Sequence, residues 1–138
     1  MKVKQISVFL ENTTGRLAEV TKTIANAGIN LRAISIADTA DFGILRIIVD
    51  KPDEGMKVLK STEFTAKLTD VIGIVLDDQP GGLNKVMEIF NRDGVNIEYL
   101  YSSLINEKGS VVIIFKVEDI DHGLKIVEKA GLEAIASF

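Results

Sequence analysis

Glu11-Asn12-Thr13-Thr14-Gly15-Arg16-Leu17 is echoed 66 positions later by Asp77-Asp78-Gln79-Pro80-Gly81-Gly82-Leu83, with Gly15 meeting Gly81 and Leu17 meeting Leu83. Each stretch closes an apolar run and opens a segment of helical spacing. Each therefore reads as a strand-to-helix turn with glycine at its corner. The chain carries that turn once in each half, and the remaining elements fall into place around the two copies.

Before the first turn, Ile6, Val8 and Leu10 alternate with Ser7 and Phe9, the period of a strand over residues 3–10. After it, Leu17, Val20 and Ile24 recur at i, i+3 and i+7 as the apolar stripe of a helix, which Ala27-Gly28 ends. Strands are expected over 29–36 and 44–49, around a polar turn at 38–43. Lys51-Pro52-Asp53 breaks the pattern, a short helix with Met56 and Leu59 covers 54–61, and a fourth strand runs over 64–68. The order then restarts. A strand at 71–76 leads to a helix with Leu83, Val86, Met87 and Phe90 on one stripe, stopped at Asp93-Gly94. Strands over 95–104 and 110–117 flank a hairpin turn at Asn106-Glu107-Lys108-Gly109, and a helix over 120–129 and a short strand over 132–136 complete the chain.

At the offset of 66, Ile6, Leu10, Gly15, Leu17, Val20, Gly28, Asn30, Gly43, Ile47 and Ile48 all meet identical residues. Gly55 meets Gly123 only at an offset of 68, which puts two extra residues of the second copy at its second helix. The fold class is α+β: two tandem βαββαβ units of the ferredoxin-like kind, residues 1–69 and 70–138, with Thr69-Asp70 as the whole linker. A unit of about 60 residues buries only about 60% of the surface its unfolded chain exposes. In such a unit the second strand stands at an edge, and an open edge invites pairing. The expected assembly joins the two second strands into one eight-stranded antiparallel sheet with the helices on one face.

The 138 residues are 46% hydrophobic and 26% charged, enough apolar content for a core. The net charge of −4 argues against nucleic acid as a partner, and cysteine is absent, which removes disulfides and thiolate chemistry. RNA-binding βαββαβ domains stack bases on aromatic residues of the third strand, and 44–49 and 110–117 lack that pattern. No apolar run approaches the roughly 20 residues of a membrane helix, and the first residues do not read as a signal peptide. A cytoplasmic protein without membrane attachment is expected.

A strand, an Asn-x-x-Gly-x-Leu turn, a helix, and Gly-Ile-Asn or Gly-Val-Asn before the next strand together resemble the ACT domain. ACT domains are βαββαβ modules that bind amino acids and regulate metabolic enzymes, and the resemblance covers the whole chain as two copies. In amino-acid-regulated phosphoglycerate dehydrogenases two such domains pair through their second strands and hold the effector at the seam. The resemblance therefore implies ligand-binding residues in three places. The first turn supplies Asn12, Thr13, Thr14, Gly15, Arg16 and Leu17; the second supplies Asp78, Gln79, Gly81, Gly82 and Leu83. Asn30 and Leu31, with Asn96 and Ile97, open the second strands. Paired as in the family, Asn12 would share a site with Asn96, and Asp78 with Asn30. Asp78 stands where the motif has asparagine, so the two sites would differ.

Physical chemistry supports such a site. The first amides of a helix are unpaired and carry partial positive charge, which suits a carboxylate. Glycine lets a ligand approach that backbone, and asparagine both donates and accepts, as an α-amino acid requires. Capping is the competing reading of Asn12, Thr13, Thr14 and Asp78, with Pro80 in the first helical turn. Tyr99 and Tyr101 share a strand face as seam packing, and Arg32, Glu98 and Tyr99 are candidates for side-chain selectivity.

His122, the sole histidine, reads as a solvated residue at a helix start. Asp38 with Asp41, and Asp119 with Asp121, read as charged turns rather than catalytic carboxylates. No catalytic residue, metal site or cofactor is expected, and the protein is not read as an enzyme. The function implied by the resemblance is a regulatory protein that binds a free amino acid and modulates a metabolic enzyme, with a homodimer open. The alternative is a ligand-independent interaction module, or a regulatory subunit of an enzyme of amino-acid metabolism.

Overall fold

The computed structural model describes residues 1–38, 41–104 and 109–138. Its elements are β1 (Val3–Glu11), α1 (Arg16–Asn26), β2 (Leu31–Asp38), β3 (Phe42–Val49), α2 (Pro52–Ser61) and β4 (Thr65–Asp77), followed by α3 (Gly82–Arg92), β5 (Ile97–Ser102), β6 (Ser110–Val117), α4 (Ile120–Lys129) and β7 (Ala134–Ile135). Thr39 and Ala40 of the first expected turn, and Asn106, Glu107 and Lys108 of the second, lie outside the described residues. Contacts divide the chain into an N-terminal unit, residues 4–69 with Phe138, and a C-terminal unit, residues 70–137 with residues 1–3.

In the N-terminal unit the strands follow the order β2-β3-β1-β4. β1 and β3 are antiparallel, with Ile6 opposite Ile47 and Leu10 opposite Gly43. Alternation sends Ile6, Val8 and Leu10 into the core and leaves Phe9 about half exposed. The buried set meets Leu45, Ile47 and Val49 of β3, Val20 and Ile24 of α1, and Leu59 of α2. One face of the strands is thus covered by both helices, as the binary pattern requires. The C-terminal unit repeats the plan in the order β5-β6-β4-β7. Its core joins Ile72, Ile74 and Leu76 to Phe115 and Val117 of β6, Val86 and Phe90 of α3, and Val127 of α4. Phe90 and Phe115 meet edge to face, their ring centres 5.3 Å apart and their planes at 81°.

Three expectations are corrected. Seven strands, where eight were expected, are found among the described residues. β4 runs unbroken through Thr69 and Asp70, so it ends the first copy and begins the second. What read as a linker is mid-strand, because Thr65 to Asp77 has no residue that must break a ladder. The second strands were expected to pair with each other, but among the described strand pairs β2 is bonded to β3 and β5 to β6, and each stands at the edge of its own unit.

The third correction concerns register. Ile6 faces Ile47 in one copy, and its equivalent Ile72 faces Phe115 in the other. Leu10 faces Gly43 and Leu76 faces Val111. β3 therefore corresponds to β6 at an offset of 68 along its whole length (115 − 47 and 111 − 43). The two extra residues lie between β5 and β6, not at the second helix. The identities of Gly43, Ile47 and Ile48 with Gly109, Ile113 and Ile114 do not mark structurally equivalent positions. A shift of two keeps every side chain on its own face, which is why alternation could not detect it. The helix glycines do correspond. A Cβ on Gly55 would come within 2.9 Å of Ile6, and one on Gly123 within 3.0 Å of Ile72 and Val117.

Candidate functional site

The two turns are built alike. Thr13 N–H donates to Glu11 O (2.8 Å) and Gln79 N–H to Asp77 O (2.9 Å), while Asn12 N–H reaches Asp41 O and Asp78 N–H reaches Gly109 O. Gly15 (φ 90°) and Gly81 (φ 86°) then stand at the N-cap positions of α1 and α3 in the left-handed region that glycine tolerates. No side chain caps either helix. Asn12, Thr13, Thr14 and Asp78 are exposed and lie ahead of the N-cap position, which glycine holds in both copies, and Pro80 precedes the helix rather than entering it. The first amide of each helix is turned back, Arg16 N–H onto Thr13 O (3.4 Å) and Gly82 N–H onto Gln79 O (3.0 Å), and the amides that follow in the first turn keep their partial positive charge. Leu17 and Leu83 do not complete the buried stripe: at 40% and 37% exposure they stand out beside those amides.

Arg16, expected at the ligand, is engaged within its own unit. Its guanidinium lies 4.6 Å from the centre of the Phe64 ring and its Nη1 lies 2.7 Å from Glu19 Oε2, while its buried Nε has no partner. In the C-terminal unit the same three positions hold Gly82, Leu132 and Lys85, at offsets of 66, 68 and 66. The correspondence of Phe64 with Leu132 is fixed by their amides, which bond to Leu59 O and to Val127 O. A cleft of about 170 Å³ opens there, lined by Val75, Leu76, Asp77, Gln79, Gly82, Lys85, Val86 and Leu132. It brings Gln79 and Gly82 together among the expected residues.

The strand-opening asparagines have local bonds. Asn30 N–H donates to Asp50 Oδ1 (2.9 Å) and its carbonyl accepts from Asp50 N–H (3.1 Å). Asn96 Nδ2 donates to Glu118 Oε2 (3.0 Å) and its carbonyl accepts from Glu118 N–H (2.9 Å). Each asparagine thus fastens the start of a second strand to the end of a third. A bulge follows in both copies, between Leu31 and Ala33 and between Ile97 and Tyr99. The bulge sets Arg32, whose Nε is buried without a partner, at the place where the other copy has Glu98 bonded to Lys116.

His122 is not the solvated residue expected. Its Nε2 donates to Asp93 O at 2.8 Å, which binds the start of α4 to the end of α3. Asp119 caps α4 by accepting from His122 N–H, and Asp121 lies 3.5 Å from Lys2. Asp50, Phe64, Lys85, Glu118 and Leu132 were missed from sequence. Three of them were readable as places where the copies differ in kind: Phe64 against Leu132, and Lys85 against Glu19. Among the described residues no helix is long and apolar enough to cross a membrane, and no group of three or more His, Asp or Glu side chains gathers as metal ligands do.

Comparison with known proteins gives these likenesses. The model of the ACT domain pair family matches residues 1–137. Protein BT0572 from Bacteroides thetaiotaomicron is 40% identical; the match covers 98% of this chain and 92% of that one, with a TM-score of 0.92. The ligand-free regulatory subunit of aspartate kinase from Thermus thermophilus has 19% identity and a TM-score of 0.66 over 92% of this chain and 91% of its own. Its counterpart from Thermus flavus has 19% identity and a TM-score of 0.61, covering 93% and 92%. At that identity the two subunits show a shared fold. Among curated proteins none matches the chain.

Proposed function

Since the chain belongs to the family of ACT domain pairs, we propose that it is a regulatory protein which binds a free amino acid and passes that signal to a metabolic enzyme. The observation that carries this reading is the duplicated turn: both helices that open on Gly15 and Gly81 leave their first amides without a side-chain cap. A carboxylate completes that arrangement. The aspartate kinase regulatory subunits, which share the fold, support a regulatory role rather than a catalytic one. Micromolar affinity needs about 8 kcal/mol, or about 0.8 kcal/mol per atom for a ligand of roughly ten atoms, below the ceiling for small ligands. A coupling of about 1–3 kcal/mol between ligand and partner is enough for regulation.

The crossed pairs, Asn12 with Asn96 and Asp78 with Asn30, require second strands to meet. β2 and β5 end the strand order, so in this reading a second copy of the chain supplies the meeting edge. Titration calorimetry against the twenty amino acids tests the function, and no heat with any of them at millimolar concentration overturns it. Light scattering across a concentration series tests the dimer. A chain that stays monomeric while still binding its effector excludes the crossed pairs.

A further inference from the structure

The cleft under Gly82 has an internal control, because its counterpart in the other unit is filled. Eight residues line it, and their equivalents in the N-terminal unit include Arg16, Glu19 and Phe64. There, Arg16 lies over Phe64 and bonds Glu19, so the unit's own side chains occupy the space. In the C-terminal unit glycine replaces the arginine and leucine replaces the phenylalanine, and about 170 Å³ is left open. A Cβ on Gly82 would run into the Asp77 carbonyl, so this position carries no side chain to refill the cleft.

The lining states what would fit. Val75, Leu76, Val86 and Leu132 give it an apolar body, Lys85 brings a positive charge to it, and the backbone carbonyl of Asp77 borders it beside Gly82. Lys85 stands where the filled copy has Glu19, so the charge that held an internal guanidinium has been reversed. Neither Lys85 nor Asp77 forms an ion pair among the described residues. Lysine suits the α-carboxylate of an amino acid, and a backbone carbonyl such as that of Asp77 accepts from its α-ammonium. The size is that of a small side chain, since a cavity of about 150 Å³ in another protein holds one benzene molecule.

We propose that this cleft is the binding site of an amino acid with an aliphatic side chain, one per chain, with the Arg16–Phe64 contact closing the equivalent place in the N-terminal unit. The inference rests on the amino-acid reading above and narrows it to a side-chain class and to one of the two copies.

The test titrates the full chain with leucine, isoleucine, valine and methionine, and with aspartate, lysine, serine and glutamine. An aliphatic amino acid is expected to bind at one site per chain. Leu132→Phe, which restores the side chain of the filled copy, and Lys85→Glu are each expected to weaken it at least tenfold. Methyl NMR of the unmodified protein is independent of how the variants fold. Leucine-type ligand should shift Val75, Leu76, Val86 and Leu132 and leave Leu10 and Val20 in place. Binding of a polar amino acid instead, two sites per chain, or methyl shifts outside the cleft overturns this inference while leaving the amino-acid function standing. Silence from all eight ligands overturns the inference, and silence from the other twelve as well overturns the function with it.

Discussion

Glycine carries two separate duties in this chain, and single substitutions separate them. Gly81 needs its left-handed φ of 86° and a Cβ there would meet no neighbour. Gly81→Ala is therefore expected to cost only the backbone term, about 1–2 kcal/mol in urea unfolding. Gly123 has an ordinary helical backbone but packs within 3.0 Å of Ile72 and Val117. Gly123→Ala should cost about 1–3 kcal/mol by overpacking, and Ile72→Val should recover part of it, whereas it should do nothing for Gly81→Ala. His122→Ala removes the bond to Asp93 O that joins two helices, with an expected loss of about 1 kcal/mol in the same measurement. Asn96→Ala serves two questions at once. It loses the Glu118 bond and so lowers stability; with the crossed pairs it also weakens the same effector site as Asn12→Ala, whereas an effector held only in the Gly82 cleft keeps its affinity in both variants.

Strand β4 is the element on which sequence and structure part most clearly. Residues 64–68 and 71–76 were legible as two strands because each has its own apolar pattern. Nothing local says that they are one strand, since Thr69-Asp70 is compatible with both a turn and a ladder. The hydroxyl of Thr69 lies 3.1 Å from that of Ser7 on β1, within the N-terminal unit. Thr69→Pro discriminates: in a linker proline is near neutral, whereas within the ladder it removes a hydrogen bond and leaves its partner unsatisfied, at an expected cost of about 1–3 kcal/mol. Thermal unfolding of the variant reads the difference, and an unchanged midpoint would count against a continuous β4.

For the whole molecule, the two units share a plan and differ in what they leave open. Strand order, core and both glycine turns repeat, so the repeat itself was available from one sequence. The consequence for function lies in the differences. An effector present at about a hundred times its dissociation constant should stabilise the folded chain by about 2.7 kcal/mol, visible as a raised unfolding midpoint. The aliphatic amino acids should produce the increase, and the Leu132→Phe variant should show it only at concentrations at least tenfold higher.

The sequence by itself determined the α+β class, the duplication, the two glycine turns and the core face of the first strand. Those depend on local chemistry and on periods of two and 3.6, which a chain displays without being folded. Only the tertiary structure decided the register of β6 against β4, the continuity of β4 and the cleft. An even shift leaves alternation intact, so the ladder of Ile72 with Phe115 had to be seen. The cleft exists because Gly82 and Leu132, fifty residues apart, line one space, and no local pattern reports which distant side chains will fail to fill the same volume.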